Sequence, residues 1–79
     1  MPTVRYFASA RAAAGVTEEA VPAATLAELR AALAAAHGER LTAVLRVASF
    51  LVDGTSWRDP DAPLPHNATI DVLPPFAGG

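Results

Sequence analysis

Thr25-Leu26-Ala27-Glu28-Leu29-Arg30-Ala31-Ala32-Leu33-Ala34-Ala35-Ala36-His37-Gly38 decides the fold class, because it carries the main helical periodicity in a chain otherwise read as short strands. Thr25 and Glu28 fit a capping box, in which the threonine hydroxyl accepts from one orphan amide while the glutamate reaches back to another. Leu26, Leu29, Leu33 and Ala36 then fall on one stripe, at the spacing of a helix with a single apolar side. Gly38, following His37, is placed for a left-handed stop. Such a stripe needs a surface to cover, and the flanking sequence supplies a sheet.

Upstream, Thr3-Val4-Arg5-Tyr6-Phe7-Ala8 is rich in β-branched and aromatic residues, and its alternation puts Val4, Tyr6 and Ala8 on one side. Ser9 to Ala14 reads as a short helical turn ending at Gly15, and Val16 to Val21 as a second strand closed by Pro22. Downstream, Glu39 to Val47 reads equally as a short helix or an irregular connection. Ser49-Phe50-Leu51-Val52, the turn dipeptide Asp53-Gly54 and Thr55-Ser56-Trp57 make a hairpin, since Asp-Gly accepts the positive φ angles of a tight turn. The stretch from Asp59 to Asn67 contains three prolines and reads as a surface loop, with Asn67 suited to a left-handed position. Thr69 to Leu73 is a last strand, ended by Pro74-Pro75, which have no amide to give to a ladder. The expected order is β-β-α-β-β-β with one principal helix, an α+β fold with a mixed sheet.

Composition narrows the function. With 79 residues, 52% of them apolar and 18% charged, the chain has material for one modest core. It contains no cysteine, which removes disulfides, thiolate metal sites and cysteine nucleophiles. Its net charge of −2 sets eight carboxylates against six scattered arginines, with no basic stripe for phosphates, so no nucleic-acid partner is expected. No apolar run of membrane-spanning length and no basic, then apolar, leader is present, so no membrane partner is expected and the reading is cytoplasmic.

Few side chains invite catalysis. His37 lies at a helix end and His66 in the proline loop, and structural roles suit both. Of Asp53, Asp59, Asp61 and Asp71, three sit in turn-like segments where aspartate caps backbone amides, so no metal site is expected. Trp57 suits partner contact and partial burial equally. Alternation makes Phe7 stand out: with Val4 and Tyr6 inward, it points outward beside Arg5. By the same count Ile70 and Val72 point inward and Leu73 outward with Asp71, and Leu51 extends the resulting patch. The end, Phe76-Ala77-Gly78-Gly79, lacks bulky side chains at its last positions and so can thread a narrow tunnel. Six extended residues from Pro74 reach on the order of 20 Å. A terminal Gly-Gly arises by accident in roughly one chain in 200, so it needs support from the rest of the sequence.

That support comes from Val4-Arg5-Tyr6-Phe7-Ala8-Ser9-Ala10-Arg11 and Leu73-Pro74-Pro75-Phe76-Ala77-Gly78-Gly79, which together resemble the small subunit of molybdopterin synthase, with Pro63-Leu64 before the last strand adding to the likeness. The resemblance spans the chain, and its most specific part is the Pro-Pro-x-x-Gly-Gly end. It implies a ubiquitin-like β-grasp domain over 1–74 and a flexible tail over 75–79. It also implies a sulfur carrier in molybdenum-cofactor biosynthesis. The Gly79 carboxylate, presented through Gly78, is then adenylated by an E1-like adenylating and sulfurtransferase enzyme that uses ATP. The carboxylate becomes a thiocarboxylate and is inserted into the synthase large subunit. On this reading the carrier binds no cofactor and is not itself an enzyme, the catalytic groups lying in the large subunit. Arg11 and Phe76, within the matching stretches, join Phe7, Leu51 and Leu73 as the expected partner-binding residues. The same tail chemistry serving thiazole, cysteine, thionucleoside or secondary-metabolite synthesis is the alternative, and a conjugating modifier or a plain binding module with the same fold is a third reading. Without lysine the chain has no side-chain amine on which to build chains of itself.

Overall fold

A computed structural model describes residues 1–75. Its elements are β1 (Thr3–Tyr6), α1 (Ser9–Ala14), β2 (Glu18–Ala20), α2 (Leu26–His37), α3 (Glu39–Val47), β3 (Ser49–Val52), β4 (Thr55–Ser56) and β5 (Thr69–Leu73). The strands form one sheet in the order β2-β1-β5-β3-β4, with β1 and β5 parallel at its centre and the other pairs antiparallel. The segment left open at 39–47 is a nine-residue helix that buries Leu41 and Leu45, so α1 and α3 accompany the main helix, the twelve-residue α2.

The start of α2 follows the capping logic with one change of partner. Thr25 Oγ1 accepts from the Glu28 amide at 3.2 Å, but Glu28 Oε1 accepts from the Ala24 amide at 3.0 Å, one residue outside the cap. The proline-rich loop supplies another partner, since the Ala27 amide donates to the Pro60 carbonyl at 2.9 Å. The loop thus satisfies one of the orphan donors that every helix start leaves.

The apolar stripe of α2 is shorter than the spacing implied. Leu26, Leu29 and Leu33 are buried, whereas Ala36 is exposed, because the last turn of α2 brings His37 toward the sheet instead. Gly38 also departs from expectation: its φ of 79° and ψ of −159° are not a left-handed stop. They lie in a region essentially reserved for glycine. That conformation lets a single residue close α2 and open α3.

The inner side of the sheet carries Val4, Tyr6, Phe50, Val52, Ile70 and Val72, all buried against the α2 and α3 leucines. Leu29, Leu33, Leu41, Val4, Ile70 and Val72 are fully enclosed. Each buried aliphatic side chain of this size contributes about 1.5–3 kcal/mol before the entropy of ordering it is subtracted. Ala8 does not continue this row. The strand ends at Tyr6, and Ala8 turns the chain into α1 at a φ of 51°.

Candidate functional site

The inner side is consumed by the core, so functional side chains exposed on the sheet belong to its outer side. Register fixes who meets there. Arg5 is opposite Glu18 on β2 and Asp71 on β5, Asp71 is opposite Leu51 on β3, and Leu51 is opposite Ser56 on β4. One step on, Ser49 is opposite Leu73, and Phe7 follows the Tyr6–Val72 pair as Leu73 does. Phe7, Leu51 and Leu73 are therefore on one side of three adjacent strands.

Phe7 is 39% exposed, whereas Leu51 and Leu73 are half-buried. What covers part of this side is a charged pair. Arg5 Nε donates to Asp71 Oδ1 at 2.7 Å and Arg5 Nη2 to Asp71 Oδ2 at 3.0 Å, the two-pronged geometry that guanidinium and carboxylate share. Only 9% of Asp71 reaches solvent. The Arg5 guanidinium also lies 5.7 Å from the centre of the Phe7 ring. The hydrogen bonds and charge of Asp71 raise the guanidinium above its ordinary value. Arg5 thus links the buried acid to the exposed aromatic, and the site is an apolar rim around a neutralised ion pair.

Alternation located Phe7 and Leu73, but a carboxylate in mid-strand gives no periodic signal of its partner. The Arg5–Asp71 pair was therefore missed. Its only trace in the sequence is that both residues sit at outward positions of their strands, and it is the parallel β1–β5 pairing that brings them together. Val47, 61% exposed at the end of α3 and two residues before Ser49, is a further apolar side chain at this end of the sheet. Arg11 lies elsewhere, exposed on α1, a helix that packs on α3 and the end of β1. Phe76, Gly78 and Gly79 fall outside the described residues. Pro74 and Pro75 leave the sheet directly after Leu73, so whatever follows starts beside the Phe7–Leu73 rim.

The two histidines separate. His66 is exposed in the proline loop. His37 Nε2 is 2.5 Å from Glu19 Oε2, which also accepts from the Tyr6 hydroxyl, and the His37 and Tyr6 rings meet edge to face at 6.0 Å. Burial pushes the Glu19 carboxyl upward, but hydrogen bonds from Tyr6 and His37 and the charge of His37 outweigh it, so the net shift is downward. Burial, followed by the hydrogen bond and charge of Glu19, pushes the Tyr6 phenol well above its ordinary value. This cluster ties β1, β2 and the end of α2 together. Among the described residues no group of three or more His, Asp or Glu side chains is placed to hold a metal ion.

Comparison with known proteins agrees with this architecture. Small archaeal modifier protein 1 of Haloferax volcanii superposes with a TM-score of 0.77 at 21% identity, covering 99% of this chain and 98% of that one. A chain of the complex of subunits 1 and 2 of molybdopterin-converting factor from Helicobacter pylori gives 0.75 at 28% identity, covering 99% and 97%. A putative molybdopterin converting factor, subunit 1, from Pyrococcus furiosus gives 0.74 at 23% identity, covering 95% and 97%. No curated relative matches significantly by sequence. The fold is the ubiquitin-like β-grasp. The ThiS family matches residues 4–79, which takes in the sheet from the second residue of β1 onward, the Phe7–Leu73 rim and the Gly-Gly end, and the chain belongs to that family.

Proposed function

We propose that the chain is a sulfur carrier that works through the Gly79 carboxylate and serves as the small subunit of molybdopterin synthase. The observation that carries this reading is the continuity of the family match from β1 through Leu73-Pro74-Pro75 to Gly79, with the apolar rim at the point where the match leaves the sheet. The structural relative at 28% identity is a chain of a complex between subunits 1 and 2 of a molybdopterin-converting factor, which supports a partner subunit for this chain as well.

The chemistry needs no side chain of the carrier. A carboxylate is a poor electrophile. Attack of the Gly79 carboxylate on the α-phosphorus of ATP, within an E1-like partner, forms a mixed anhydride and releases pyrophosphate. A persulfide sulfur then displaces AMP at the carbonyl carbon to give an acyl disulfide, and a thiolate attacking the outer sulfur of that bond releases the thiocarboxylate and leaves a disulfide behind. What this chain contributes is recognition: Phe7, Leu51 and Leu73, with Arg5 holding Asp71 neutralised, form the docking face for the activating enzyme and the large subunit in turn. An apolar patch on so small a protein is the kind of surface partners cover.

Incubation with the cognate adenylating enzyme, ATP and a sulfur donor is expected to replace one carboxylate oxygen by sulfur, read as a mass shift of the intact protein. No shift with an enzyme verified as active overturns the carrier reading. Turnover of the molybdenum-cofactor precursor by the thiocarboxylated chain with a synthase large subunit is the result that selects this pathway over thiazole or thionucleoside synthesis.

A further inference from the structure

The helical side of the molecule carries a second surface that the sulfur chemistry leaves unused. Between α2, the end of α3 and the β3–β4 hairpin lies a cleft of about 250 Å³, floored by Leu45, Phe50 and Trp57 and rimmed by Arg30, Arg46 and Arg58. It runs into a second cleft of about 340 Å³ along the α2–α3 seam, with which it shares Arg30, Leu45 and Arg46. The α2 wall of that second cleft includes Ala27, Ala31 and Ala34, small side chains that let another backbone approach closely.

Charge in this groove is one-sided. Three of the chain's six arginines border it, in a protein whose net charge is −2. Among the described residues none of the three forms an ion pair or a side-chain hydrogen bond. No acidic side chain lines either cleft; Glu39 enters only farther along, where it borders a third opening with Thr42, Ala43 and Arg46. Asp59, next to Arg58 in sequence, already accepts from the Asp61 amide. Arg30 is held in place by the Phe50 ring, 5.9 Å from its guanidinium, so one cation is preset over the apolar floor.

Trp57, on the floor of the groove, has a polar atom of its own. Trp57 Nε1 is buried and has no hydrogen-bond partner. A buried N–H without a partner is costly, and native structures leave few of them. Trp57 lines the cleft, but Nε1 itself is closed off from solvent, so Trp57 serves as part of the apolar floor and its N–H is not offered to an occupant.

We propose that this groove binds an acidic, partly apolar segment of a partner protein, its carboxylates meeting Arg30, Arg46 and Arg58 and its apolar side chains lying on Leu45, Phe50 and Trp57. The groove is open along its length, whereas small-molecule sites bury about 70–90% of their ligand, so an extended peptide fits its shape better than a nucleotide does. Phe50 and Trp57 are on the inner side of the sheet and Leu51 and Arg5 on the outer side. A partner held here therefore leaves the Phe7–Leu73 rim free, and the proposal is independent of the sulfur-carrier reading.

The test is a titration of isotope-labelled protein with a short synthetic peptide alternating glutamate and leucine, at low ionic strength, followed by NMR. Binding is expected to move the Trp57 indole N–H signal and the side-chain N–H signals of Arg30, Arg46 and Arg58, while signals of Arg5, Phe7 and Leu73 stay in place. Arg46→Gln and Arg58→Gln, at exposed positions, are each expected to weaken the affinity about five-fold, the upper range for one exposed charge pair, without changing the melting temperature. Added salt is expected to weaken it further. The proposal is overturned if the peptide does not bind, if it shifts the Arg5 face instead, or if a lysine–leucine peptide binds equally well. It is equally overturned if a single-stranded oligonucleotide of matching charge binds more tightly with the same signals, which marks the groove as a nucleic-acid surface.

Discussion

Arg5 and Asp71, 66 residues apart in sequence, are register partners across the parallel β1–β5 pair, and the guanidinium closes both oxygens of a carboxylate that is almost out of solvent. Removing one partner of such a pair leaves the other without compensation, whereas replacing both by apolar groups is far better tolerated. Arg5→Leu is therefore expected to destabilise the fold, and Arg5→Leu with Asp71→Leu to recover most of the loss. Urea denaturation of the two single variants and the double variant measures this. A double variant as unstable as the sum of the singles shows that the two residues act independently.

Phe7 sits over Arg5 at the edge of the same face and makes no core contact that stability depends on. Phe7→Asp is expected to lower the affinity for the adenylating enzyme and for the large subunit about ten-fold or more, the range of an aromatic interface anchor, with the melting temperature nearly unchanged. Calorimetric titration and thermal denaturation of the same sample separate the two effects. Unchanged binding removes Phe7 from the docking face, and a large fall in melting temperature places it in the core.

Glu19 gives a pH dependence of definite sign. Its folded-state pKa is lowered, so its contribution is complete above the unfolded value of about 4.3 and is lost as pH falls through the folded value. Wild-type stability is expected to drop below about pH 4.3 more steeply than that of Glu19→Gln, which has no charge to lose there. At neutral pH the substitution is expected to cost about 1 kcal/mol, since the hydrogen bonds from Tyr6 and His37 are partly screened by solvent. Parallel slopes for the two proteins in a pH series of urea titrations contradict this assignment.

Gly38 and Gly15 both have positive φ, but only Gly15, at 80° and 2°, is in the left-handed helical region. Open space surrounds a Cβ at either position, so any cost is backbone strain rather than collision. Gly38→Ala is expected to cost about 1–3 kcal/mol, and Gly38→Asn not to relieve it. Gly15→Asn is expected to cost less than Gly15→Ala, because asparagine tolerates the left-handed region. Equal losses for asparagine and alanine at Gly15 show that its conformation relaxes on substitution.

The sequence alone determined what short-range physics controls. The capping pair Thr25 and Glu28, the Leu26-Leu29-Leu33 stripe, the Asp53-Gly54 turn and the alternation of β1 and β5 are each set by neighbours within a few residues. From them follow a helix-covered mixed sheet and an outward Phe7. The extension of that stripe to Ala36 and the left-handed stop at Gly38 failed for one reason: the path from α2 into α3 depends on how α3 packs, and no local pattern encodes that. Only the tertiary structure decided that Glu39–Val47 is a helix, because Leu41 and Leu45 are buried by packing with distant elements, α1 and α2 among them, and not by their own segment. Only register across distant strands brought Arg5 to Asp71, and only the meeting of α2, α3 and the hairpin set Arg30, Arg46 and Arg58 around Trp57. A charge carries no periodicity, so its partner becomes visible when long-range contacts have fixed where both side chains lie.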